Sequence, residues 1–197
     1  MDHIRTIVAK EWAEVRRHRL VLYVIIFVPL LLTAIPLVML GVIDDLRPLG
    51  PGLKLLGQAV AVLVLMRAGL YIKIAVLPPG IALVLTFFWL MATINAFNII
   101  DIMDGLAASI GAMSALTIFI ISLYTHDFLI SILAISLAAA LLAFLKFNWE
   151  PAQIYLGDAG SMILGLIIGS LTMMVSYTRF NRLAFVSGLY ILGIPLF

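Results

Sequence analysis

Cysteine is absent from the chain, which excludes a disulfide framework and a thiolate-bound metal. Charge is scarce as well: Asp, Glu, Lys and Arg make up 11% of the 197 residues, where a soluble domain carries roughly 25%. So few charges cannot cover a water-exposed surface around a chain that is 64% hydrophobic, with a mean hydropathy of +1.22. A bilayer as solvent removes that difficulty. The net charge of +2 is too small to argue for a nucleic-acid partner. The three histidines, His3, His18 and His126, are far apart in sequence. No cleavable signal is expected, because the apolar run from Leu20 is too long for a signal core and no small-residue cleavage pattern follows the basic residues.

What is present is a series of apolar runs approaching the length of about 20 residues that a membrane crossing needs. They cover 20–43, 55–72 (interrupted by Arg67), 81–94 with an extension as far as 100, 105–124, 128–145, 159–177 and a short 183–197. Turn and breaker residues separate them at 47–52, 78–80, 125–127 and 148–151. Lipid offers the backbone no hydrogen-bond partner, so these runs read as helices. The expected fold is all-α, a polytopic integral membrane protein with about seven transmembrane helices.

Counting crossings assigns each polar stretch a side. Asp44, Asp45, Asn95, Asn98, Asp101, Asp104, Asn148, Glu150 and Asp158 fall on one side or just inside it. Of the seven acidic residues beyond position 20, only Asp127 falls on the other. Positive charge does not follow. The acidic side has Arg47, Lys54 and Lys146, and the opposite side has Lys73, Arg179, Arg182, Arg16, Arg17 and Arg19. By the positive-inside rule alone, the acid-poor side would be cytoplasmic.

Carboxylates at a membrane boundary are costly and mark function. Three segments supply them: the pair Asp44-Asp45, the series Asn95, Asn98, Asp101 and Asp104 spaced by three, and Asp158 just before an apolar run. On one helix, residues three apart share a face. Carboxylates and amide carbonyls are hard oxygen ligands that suit Mg²⁺, which commonly bridges a few carboxylates to substrate phosphates. Lys54 is placed to meet a phosphate, and the amides opening the helix near Ala159 favour an anion. Each piece also has a plainer reading. The Asp pair can be solvated loop charges, Asp158 a helix N-cap, Asn95 and Asn98 interhelical hydrogen bonds, and Asp101 and Asp104 a wet helix end. Gly105, Gly111, Gly165 and Gly169 read as close-packing positions.

Several stretches occur together in a fixed order. They are Gly41-Val42-Ile43-Asp44-Asp45, Lys54 with Gln58, the run from Asn95 through Asp101 and Asp104 to Ala107, Phe147-Asn148-Trp149-Glu150-Pro151-Ala152, and Leu156-Gly157-Asp158-Ala159-Gly160-Ser161. This pattern, over about residues 40–197, resembles the polyprenyl-phosphate N-acetylhexosamine-1-phosphate transferases of glycosyl transferase family 4. It looks nearer to their WecA/TagO-like branch than to MraY, the phospho-MurNAc-pentapeptide transferase. The resemblance implies transfer of N-acetylhexosamine-1-phosphate from a UDP-sugar to polyprenyl (undecaprenyl) phosphate, with release of UMP. The product would enter cell-wall or surface-glycan synthesis, such as teichoic acid or lipopolysaccharide. The implied cofactor is Mg²⁺, with Mn²⁺ as the alternative ion, and the implied location is the cytoplasmic face of the inner or plasma membrane. By position, Asp158 would be the metal ligand. Asp44, Asp45, Asp101 and Asp104 would be the catalytic carboxylates, and Lys54, Asn98, Asn148 and Tyr155 would bind substrate, Tyr155 by stacking on uracil. Expected partners are the UDP-N-acetylhexosamine, the lipid phosphate and the membrane, with a homodimer as one assembly open to such a core.

The chain departs from the family pattern in three ways. Ile102 stands where Gly or Asn is usual, and a β-branched residue disfavours an unusual turn there. The histidine-containing segment that follows in family members has no counterpart before Phe197, so the core is expected to be truncated relative to the family. The front end reads as foreign: a basic amphipathic segment over 1–19, weakly similar to the N-terminus of ABC-2-type permeases, then a first transmembrane helix over 20–40, with the transferase core over 41–197. Two competing functions remain at this point: a transporter component, and an inactive relic of the family. The acids cluster at one end rather than at mid-depth along several helices, which favours the enzyme.

Overall fold

The computed structural model describes residues 28–71 and 78–175. Six helices follow one another without a strand among the described residues: α1 (Val28–Leu46), α2 (Pro51–Arg67), α3 (Pro79–Ile100), α4 (Leu106–Tyr124), α5 (Phe128–Asn148) and α6 (Gly157–Met174). All but α2 are long and apolar enough to cross a membrane. These six correspond to the first six expected spans. The seventh, 183–197, and the amphipathic segment 1–19 lie outside the described residues.

Local chemistry shifts several boundaries. Pro51 opens α2 four residues before the apolar run, because proline at the first helical position gives up an amide that would have had no partner anyway. Pro79 opens α3 in the same way. The series spaced by three does not stay on one helix. α3 ends at Ile100, so Asn95 and Asn98 are helical, while Asp101 and Asp104 lie in the turn 101–105. The chain has to reverse direction within those five residues to start α4 at Leu106. Gly105 takes the left-handed conformation this requires, with φ of 72°. Ile102 keeps an ordinary negative φ, so the expected conflict at that position does not arise.

α6 is the central helix and is buried along most of its length. It contributes Leu164, Ile168 and Leu171 to a core shared with α3, α4 and α5. It contributes Met162 and Leu166 to a second core with Leu37 of α1, Ala61, Val62 and Leu65 of α2, and Leu90 and Ile94 of α3. The outer helices expose apolar side chains such as Leu32, Val60, Val84 and Ile132, as lipid-facing surfaces do. Gly165 and Gly169 lie against the backbone and side chain of Thr93, so the close-packing reading of these two glycines holds.

Candidate functional site

The C-terminal ends of α1, α3 and α5 and the N-terminal ends of α2, α4 and α6 meet at one end of the bundle. This is the acidic side read from the crossings. The turn Thr125-His126-Asp127, between α4 and α5, is at the other end. Lys54, in the first turn of α2, holds the centre of the acidic end. Its Nζ lies 2.8 Å from Asp44 Oδ2 and 3.0 Å from Asp158 Oδ2. Asp44 is fixed further by the Leu49 amide, which donates to its Oδ1 at 2.5 Å. The other oxygen of Asp158 accepts from Asn98 Nδ2. Asn98 Nδ2 also lies 3.0 Å from Ser161 Oγ, one turn into α6. Ser161 belongs to the Gly157-to-Ser161 motif, but only the fold shows that its hydroxyl orients Asn98.

Asp45, next to Asp44 on α1, faces a different partner. Its carboxylate accepts from the backbone amides of Asp158 at 2.9 Å and Ala159 at 3.5 Å, across more than 110 positions of sequence. The Gly157 amide faces the Asp101 carboxyl closely enough to favour its ionised form. The α6 N-terminus is therefore capped by the Asp45 carboxylate of α1, with Asp101 of the turn after α3 close by. Two expectations are corrected here. Asp158 is not the cap of its own helix, since its side chain is drawn to Lys54 and Asn98. The opening amides of α6, expected to favour a bound anion, hold the protein's own carboxylates. Gly157 makes room for this: its φ is 65°, and a Cβ there would lie 2.9 Å from Asp45 Oδ2.

Burial and the negative charges of Asp158 and Asp45 push the Asp101 carboxyl up to about 6 from its ordinary 3.8, against the pull of the Gly157 amide. The folded pKa is above the unfolded one. The stabilisation therefore belongs to the protonated form, is fully present below pH 3.8, and is lost as pH rises through about 6. Asn mimics the protonated form. Discounted for the half-exposed carboxyl, the ionised group costs about 1 kcal/mol at neutral pH, or roughly 2–4 °C of Tm. Asp101→Asn is thus expected to raise Tm by that amount at pH 7.5 and to leave it unchanged at pH 4. Equal shifts at the two pH values would refute the assignment.

Of the remaining expected site residues, Asp104 and Tyr155 lie at the rim and Asn148 beneath it. Asp104 Oδ2 accepts from the Ala152 amide at 2.9 Å, which ties the turn after α3 to the segment after α5. Asn148 is buried and engaged at both ends of its amide. Its Oδ1 accepts from the Gly105 amide at 3.1 Å and its Nδ2 donates to the Ile154 carbonyl at 2.9 Å. Its position joins two loops. Tyr155 is 70% exposed at the mouth, with its hydroxyl 3.3 Å from the Ala152 carbonyl.

Asp44 and Asp158 thus turn one oxygen each toward a single cationic point. Among the described residues, no three His or acidic side chains are arranged to hold a metal by themselves. Asp44 and Asp158 are two carboxylates of the kind that Mg²⁺, where it is bound, commonly uses beside substrate phosphates. Four carboxylates (Asp44, Asp45, Asp101, Asp158) and one ammonium gather here, so a polyanionic substrate needs added positive charge to enter.

The sequence profile of glycosyl transferase family 4 matches residues 27–176. A probable undecaprenyl-phosphate N-acetylglucosaminyl 1-phosphate transferase of Bacillus subtilis is 32% identical over 169 residues, covering 82% of this chain and 47% of the relative. A phospho-N-acetylmuramoyl-pentapeptide-transferase of Clostridium beijerinckii is 41% identical over 101 residues, covering 51% of this chain and 30% of the relative. A decaprenyl-phosphate N-acetylglucosaminephosphotransferase of Mycolicibacterium smegmatis is 36% identical over 149 residues, covering 66% and 37%. The chain spans at most about half the length of these curated relatives. With the profile spanning all six described helices and the polar end they build, this multi-pass membrane chain belongs to glycosyl transferase family 4.

Proposed function

We propose that the chain supplies the phosphate-handling core of an enzyme that moves N-acetylhexosamine-1-phosphate from a UDP-sugar to a polyprenyl phosphate. A phosphate oxygen of the lipid forms a bond to the β-phosphorus of the UDP-sugar, the bond from that phosphorus to the bridging oxygen breaks, and UMP leaves. The observation that carries this reading is the convergence of Asp44 and Asp158 on Lys54 at one end of a membrane bundle. Phosphoryl transfer calls for positioning and charge neutralisation more than for covalent help from the protein. Lys54 provides a fixed positive charge, and Asn98 and Asp45 orient Asp158 through its side chain and its amide. Asp158, with Asp44, would hold Mg²⁺ or Mn²⁺, which when bound supplies the charge that a diphosphate needs to enter. The exposed Tyr155 ring is available to a nucleobase, and the lipid-facing helix surfaces to a polyprenyl chain. Names of relatives that act on undecaprenyl or decaprenyl phosphate support the lipid acceptor and the N-acetylglucosamine type of donor. A cytoplasmic active face of the inner or plasma membrane follows from the nucleotide donor, and a homodimer is compatible with the exposed apolar surfaces.

The test is to incubate purified protein with a panel of UDP-N-acetylhexosamines, polyprenyl phosphate and Mg²⁺ and to follow UMP. Release with at least one donor, dependent on both lipid and metal, is the expected result. A folded sample that releases none with any donor would sink the proposal.

A further inference from the structure

One helical turn below the charged layer lies a second polar layer that phosphate transfer does not use. Gln58 of α2 is fully buried. Its Oε1 accepts from Asn95 Nδ2 of α3 at 2.9 Å, and its Nε2 donates to Met162 Sδ of α6 at 3.2 Å. The two layers are built by the same three helices in parallel. Gln58 follows Lys54 by four residues, Met162 follows Asp158 by four, and Asn95 precedes Asn98 by three. At 1.5 Å of rise per residue, each member sits about one turn beneath its counterpart.

The Gln58 amide is a poor choice for stability alone. A thioether is a weak acceptor, so a buried donor group meets a weak partner, and an apolar side chain of similar size would avoid that cost. Asn95 does not depend on it, because its Nδ2 also donates to the Met91 carbonyl at 2.8 Å. What the amide adds is direction. Apolar contacts between membrane helices are non-directional and tolerate sliding, whereas a hydrogen bond fixes depth. Lys54 needs such a reference, since its long flexible stem allows many positions of the ammonium.

We propose that Gln58 is a positioning residue that sets the depth of α2 against α3 and α6, so that the Lys54 ammonium falls between Asp44 and Asp158. The effect on turnover rests on the transferase reading above; the effect on Lys54 does not. The test compares the full chain with Gln58→Leu and Gln58→Met in three measurements: Tm, the rate at which an amine-reactive reagent modifies Lys54 relative to exposed Lys146 (by mass spectrometry), and UMP release. With the depth reference gone, Tm should hold or rise, and Lys54 should be modified about threefold faster as its ion pairs loosen. The kcat should fall about tenfold or more with the donor KM within about threefold, as misplaced catalytic groups do. Lys54 modified at the original rate in a folded variant would overturn the proposal. So would a fall in Tm with kcat intact, which marks an ordinary structural hydrogen bond, or failure of both variants to fold. If the unaltered chain releases no UMP, the transferase reading falls, and Lys54 modification alone still decides the role of Gln58.

Discussion

Asp158→Asn is expected to abolish UMP release, lowering turnover by at least about two to three orders of magnitude, the range seen when one well-placed electrostatic group is removed from a transfer site. The substitution removes the charge and turns an NH2 toward Lys54 in place of Oδ2, so the 3.0 Å contact with Lys54 is lost while the other contacts remain. Asn keeps an oxygen for the Asn98 amide, and Lys54 keeps its pair with Asp44 at 2.8 Å. The backbone amide that Asp45 accepts from is untouched. The variant should therefore fold and elute as the parent does, so that loss of activity reports on the carboxylate. A shift in the Mg²⁺ concentration giving half-maximal rate, read on any residual activity, tests the metal role separately. Turnover equal to the parent's would refute both roles of Asp158.

The second large effect is structural. A Cβ on Gly165 would lie 2.6 Å from the Thr93 carbonyl oxygen and 2.7 Å from Ile94 Cα, which are backbone atoms that cannot turn aside. One added methyl group should therefore force α3 and α6 apart at a cost of about 1–3 kcal/mol, with roughly 2–4 °C of Tm lost per kcal/mol. Gly165→Val should cost more. Gly80→Ala is the control: it sits on the same helix pair's α3 but has nothing within 4 Å of an added Cβ, and its Tm should not fall. Because α6 carries Asp158 and α3 carries Asn98, Gly165→Ala should also slow turnover in whatever fraction remains folded. A Gly165→Ala protein as stable as the parent would show that the two helices are not held at this distance.

Much of this was legible in the chain. Scarcity of charge and long apolar runs dictate membrane helices, because nothing else satisfies a backbone in lipid. Counting crossings placed Asp44, Asp101 and Asp158 on one side, and their side chains do gather there. The plainer readings also had their part. Asn95 is an interhelical hydrogen-bonding residue, bound to Gln58, while Asn98 reaches Asp158. The individual pairings were not legible. Asp44 and Asp45 are adjacent and chemically identical, yet one meets Lys54 and the other the α6 amides. Successive residues on a helix point about 100° apart, and only the packing of the neighbours decides what each direction meets.

The sequence by itself determined the solvent, the helices, the side on which the acids lie and the family pattern. All of these depend on composition and on the order of residues along one chain. The tertiary structure decided which carboxylates meet the lysine, which one caps α6, and that a buried amide lies one turn below the charged layer. Each of those facts depends on how deep and how rotated one helix sits against another. That is set by close contacts such as Gly165 on Thr93 and Gly157 on Asp45 together with buried hydrogen bonds such as Asn95 to Gln58, between residues far apart in sequence, where no local pattern records the distance.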